Sequence, residues 1–91
     1  MGGKEDLLAR GLVAQGMHWA SIPPPQEEFR AMGQIRYRHP GAPCRVRPCG
    51  GGEVVVHFDE PQEAITPGQA LVLYQDDCVL GGGWIGEVRG E

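Results

Sequence analysis

No aspartate or glutamate occurs between Phe29 and Gly52, although the 91-residue chain carries a formal net charge of -4. That acid-free stretch holds Arg30, Arg36, Arg38, Arg45 and Arg47, five of the eight basic residues. Other absences bound the problem. No apolar run approaches the ~20 residues of a membrane helix, and the N-terminus lacks a secretory signal pattern. The reading is therefore a soluble, cytoplasmic chain with no membrane partner. The three cysteines, Cys44, Cys49 and Cys78, are odd in number and form no CxxC pair. That argues against a disulfide framework and against a zinc site. No GxGxxG fingerprint, no phosphate loop with its Lys-Ser/Thr and no Ser/His/Asp order is present, so no catalytic residue and no metal ligand is assigned. His18, His39 and His57 stand too far apart in sequence to suggest a metal spacing.

What the chain has in quantity is punctuation: 15 glycines and 8 prolines in a length that suits one domain. Pro23-Pro24-Pro25 forces an extended crossing. Beyond it the hydrophobic period is two. Strands are expected over 31–38, 44–48, 53–58, 69–74 and 77–85. Cys44 and Val46 then lie opposite Arg45 and Arg47, and Val54, Val56 and Phe58 share one face. Residues 6–20 read equally as a glycine-weakened helix or an extended segment. The 69–74 run is apolar on both faces, as in a central or covered strand. Five or six short strands with frequent turns predict an all-β fold, a small closed antiparallel β-barrel of about six strands. Cys44 and Cys78 are expected in its wall as small hydrophobes. Cys49, beside three glycines, is expected on the surface. Gly81-Gly82-Gly83 marks a bulge or a place where another backbone approaches closely.

The charge pattern suggests a function. Arg36 with Arg38, and Arg45 with Arg47, are paired at i,i+2, so each pair projects from one strand face. A hairpin through His39–Pro43 would gather four guanidinium groups, a geometry suited to phosphate. The competing reading is a solvated face neutralised by Glu27, Glu28, Asp59 or Glu60. Tyr37 is a core aromatic or a base-stacking group. Thr66-Pro67-Gly68-Gln69 reads as a type II turn, with Gln69 at its exit.

The fragments "GQIRYRHPGAPCRV", "VVVHFDEPQEAITPGQALVLYQDDCVLGGGWI" and "LLARGLVAQGMHWAS", taken in that set, resemble the C-terminal part of the tRNA-specific 2-thiouridylases. The resemblance covers roughly residues 7–85. It implies a barrel similar to those of translation elongation factors. Residues 1–16 would be the tail end of the preceding central domain or a linker, 17–86 the tRNA-binding barrel and 87–91 a tail. In this family an N-terminal domain uses ATP to activate the wobble uridine and carries the catalytic cysteines. This chain would thus hold no cofactor and would act with tRNA, with the remaining domains and with a sulfur-relay protein. The resemblance carries tRNA contacts onto Arg36, Tyr37 and Gln69; the charge pattern adds Arg38, Arg45 and Arg47. Neither Cys44 nor Cys78 inherits a catalytic role. The alternative is a stand-alone protein-interaction module on the same barrel.

Overall fold

The structure, a computed structural model, describes residues 8–35, 41–63 and 65–89. Six strands account for most of them: β1 (Leu8–Trp19), β2 (Phe29–Gln34), β3 (Ala42–Gly50), β4 (Glu53–Glu63), β5 (Ala70–Gln75) and β6 (Cys78–Arg89). They close into a barrel in the order β1-β4-β3-β2-β5-β6, with every pairing antiparallel. Closure gives each strand two neighbours, so no long edge is left to template aggregation.

Alternation selects the interior. Cys44 and Val46 of β3, Val54, Val56 and Phe58 of β4, and Leu71 and Leu73 of β5 point inward and are buried. Leu12 and Ala14 of β1 and Leu80 and Ile85 of β6 complete the same core. The barrel is thus filled by side chains, as a six-stranded barrel must be. The outward residues of β5, Val72 and Tyr74, are half-buried rather than covered by another layer. The Tyr74 hydroxyl accepts the Gly41 N–H at 2.9 Å, which ties the start of β3 to the flank of β5.

Three segments differ from the sequence expectation. Residues 8–16 lie within β1, which pairs with β4 and β6 and closes the barrel. They belong to the barrel, where an end of the preceding domain was expected. The helix alternative for 6–20 gives way because Leu12 and Ala14 find an apolar interior two residues apart. β4 continues through the stretch read as a connection, to Glu63, and β6 runs on to Arg89 through the expected tail. Both gain backbone partners from β1 that local sequence does not reveal: Ala9 opposes Gln62, and Gly11 opposes Arg89. The Pro23–Pro25 crossing is irregular, as read, and links β1 to β2.

The antiparallel order sorts the connections between two ends. One end holds the starts of β1, β3 and β5, the ends of β2 and β4, and the turn at Thr66–Gln69. The opposite end gathers the glycine turn 50–52, the tight turn at Asp76–Asp77 and the proline crossing.

Candidate nucleic-acid interface

Gln69 sits on the turn that the sequence predicts. Gly68 has φ +94°, a left-handed value that glycine adopts without steric cost. The Gln69 N–H donates to the Thr66 carbonyl at 3.2 Å, which closes the turn with Pro67 at its second position. Two bonds weld it to β6: Gly68 N–H to the Ile85 carbonyl at 2.7 Å, and Ile85 N–H to the Gln69 carbonyl at 2.8 Å. The side chain folds back, so that the Thr66 N–H donates to Gln69 Oε1 at 3.1 Å. A backbone N–H can meet only the oxygen of a carboxamide, so the orientation of the amide is settled. One lone pair of its Oε1 is used within the turn, which fixes the amide, and Nε2 is its donor end.

Arg36, Tyr37 and Arg38 lie outside the described residues. Their anchors are described. Gln34, at the end of β2, opposes Val72 of β5, two residues from the start of that strand after Gln69. β2 therefore ends, and β3 begins, at the same end of the barrel as the Gln69 turn.

Arg45 and Arg47 are exposed on the outer face of β3. At about 3.3 Å per residue they lie about 10 and 16 Å from the Ala42 end of the strand. The hairpin of β2 and β3 forms as expected, with Arg30 directly opposite Arg45. The acid-free stretch does not leave these groups unaccompanied, however. Arg45 Nε pairs with Glu28 Oε2 at 2.8 Å, and Arg30 pairs with Asp59. The acids come from outside the stretch, Glu28 from the crossing before β2 and Asp59 from β4. Asp59 raises the Arg30 pKa, by its hydrogen bond first and its charge second. Arg47 makes no ion pair among the described residues. It lines an open groove of about 210 Å³ with Arg45, Glu28, Val55 and His57. Solvent-exposed pairs contribute at most about 1 kcal/mol, so a phosphate can displace Glu28 at little cost.

The cysteines separate into two kinds. Cys44 is buried, and burial pushes its thiol up to about 12. The neutral thiol is thus a core group, and the fold loses stability as pH rises from about 9, where the unfolded thiol ionises, towards 12. Cys49 is exposed, as expected. Cys78 is exposed too, contrary to its reading as wall. It opens β6 beside the Asp76–Asp77 turn, and its Sγ donates to Ser21 Oγ at 3.3 Å. Alkylation of the native chain at pH 8 is expected to label two thiols rapidly and the third only on unfolding; rapid labelling of all three would contradict the burial of Cys44. Among the described residues, no three His, Cys, Asp or Glu side chains converge as metal ligands.

A feature with no strong sequence signal is Trp84. It is 56% exposed on the outer face of β6, next to the Gln69 turn. Alternation placing Ile85 inward was the one available clue.

A closed six-stranded barrel, filled by its own side chains and carrying polar groups on its flanks and one end, defines the class: a small β-barrel domain. The family described as the aminomethyltransferase β-barrel domain matches residues 9–85. A tRNA-specific 2-thiouridylase of Chlorobium phaeovibrioides is 51% identical over 86 residues, 94% of this chain and 24% of that protein. One from Syntrophotalea carbinolica is 48% identical over 93% of this chain and 24% of its own length. One from Chlorobium phaeobacteroides is 45% identical over the whole chain and 25% of its own length. The chain belongs to this β-barrel domain family, as a C-terminal domain of the 2-thiouridylase kind. It spans about a quarter of the length of these relatives.

Proposed function

We propose that this barrel positions tRNA for a 2-thiouridylase that converts the wobble uridine to 2-thiouridine in an ATP-dependent reaction, with the chemistry performed by other domains. The observation that carries this reading is the Gln69 turn. A donor amide is held by four hydrogen bonds around the turn, at the end of the barrel where the link bearing Arg36, Tyr37 and Arg38 begins. Identity of 45–51% to proteins named for tRNA thiolation supports the substrate class. Arg45 and Arg47 on the flank supply exchangeable phosphate contacts, which position RNA without reading its sequence. Tyr37 is the proposed stacking partner on the 35–41 link. ATP belongs to the other domains in this reading, and a sulfur-relay protein is the expected source of sulfur, in the cytoplasm.

In a thiouridylase carrying this barrel, Gln69→Ala is expected to lower tRNA affinity and thiolation about 5- to 10-fold, the loss of one hydrogen bond to RNA. Gln69→Glu keeps the acceptor for the Thr66 N–H but replaces the donor with a negative charge, so it should lose at least as much. Full activity in both variants would sink the assignment. The chain alone should retain tRNA weakly at low salt and release it steeply as salt rises. A protein complex that persists at high salt, with no tRNA retained at low salt, would favour the interaction-module alternative.

A further inference from the structure

Trp84 is the largest side chain left in solvent. A single exposed apolar residue is ordinary on a protein surface, but an indole adds a broad flat face and an N–H donor to that position. Its cross-strand neighbours on the outer face are Ala70 of β5 and Gln15 of β1. Ala70 directly follows Gln69, and Ile85, directly after Trp84, holds the Gln69 turn through two backbone bonds. The indole is also supported. Its Cδ1 lies 3.5 Å from where a Cβ on Gly16 would sit, an ordinary van der Waals distance, so the ring rests beside β1. On either side stand small or polar groups, which do not build a broad apolar patch. A protein-docking face buries about 800 Å² per partner, far more than one ring can offer. A single supported aromatic plane beside a hydrogen-bond donor matches instead one flat heterocycle.

We propose that Trp84 is a stacking platform for an unpaired nucleobase of the bound RNA, set beside the Gln69 donor. This rests on the tRNA-positioning reading above and adds to it the recognition of a splayed-out base, which a barrel using phosphate contacts alone would not need. Base stacking on an aromatic ring is tolerant of sequence and carries no charge. It therefore changes affinity without changing the salt dependence.

The experiment uses this chain and unmodified tRNA at low salt. Trp84→Ala is expected to weaken binding about tenfold, with the slope of log affinity against log salt unchanged, while Trp84→Phe retains most of the affinity. In a Trp19→Phe background Trp84 is the sole tryptophan, and its emission should be quenched as tRNA saturates. Wild-type affinity in Trp84→Ala, or emission indifferent to saturating tRNA, overturns the stacking role and leaves the tRNA reading standing. Failure of the unsubstituted chain to retain tRNA at all overturns both. Protection of Trp84 from acrylamide in an RNA-free full-length thiouridylase would mark the ring as a domain contact and also overturn the proposal.

Discussion

Alanine at Gly81 or Gly82 is expected to lower the melting temperature by at least about 12 °C, because no room exists for a methyl group on either flank of β6. A Cβ at Gly81 would lie 2.6 Å from the His18 carbonyl oxygen and 3.0 Å from Trp19 Cα. At Gly82 it would lie 2.7 Å from the Leu71 carbonyl oxygen. These atoms are backbone, so no side-chain rotation relieves the clash. β6 would have to move away from β1 in the first case and from β5 in the second. Overpacking that only side chains must absorb costs about 1–3 kcal/mol, and moving a paired strand belongs at or above the top of that range. A loss of about 3 kcal/mol shifts the midpoint of a domain this size by roughly 12–24 °C. Thermal melting followed by circular dichroism measures it. Unchanged midpoints would mean that β6 is not held at these distances.

Phe58→Ala is the second large effect. The ring is fully buried at the centre of the barrel, and its Cε1 lies 3.2 Å from where a Cβ of Gly33 would sit. Gly33 gives up its side chain so that Phe58 can fill the space. Truncation leaves a cavity that rigid strands on all sides cannot close, at a cost of about 3–5 kcal/mol. For a domain whose whole stability is about 5–14 kcal/mol, that is a third or more of the total. Chemical denaturation should show a markedly lower midpoint at an unchanged slope. Phe58→Leu keeps most of the volume and should lose much less. A midpoint for Phe58→Ala close to that of the unsubstituted chain would contradict the packing.

Both effects trace to features partly visible in the sequence. Val54, Val56 and Phe58 alternate with Val55 and His57, so the face that packs inward follows from period alone. The same rule sorts Cys44 and Val46 from Arg45 and Arg47. Three glycines in a strand predict either a bulge or a close approach, and β6 has both: its register with β5 shifts between Leu73 and Tyr74, and backbone crowds it from two sides. The type II turn at Thr66–Gln69 was readable because Pro67 and Gly68 each restrict or extend φ for a stated steric reason. Cys78 was misread because alternation gives a side but not a depth: opposite the exposed Gln75, at the turn end of β6, it lies outside the packed core.

The chain's own residues determined an all-β barrel, the inward stripe of each central strand and the turn that presents Gln69, since these depend on local sterics and a two-residue period. Tertiary structure alone decided that residues 8–16 close the barrel and that Glu28 and Asp59 reach the arginines. It also decided that the Thr66 N–H binds Gln69 Oε1 and that Trp84 stands in solvent beside that turn. Each of these depends on which strands become neighbours, and neighbours across a closed sheet are chosen by the fit of the whole core rather than by any one segment.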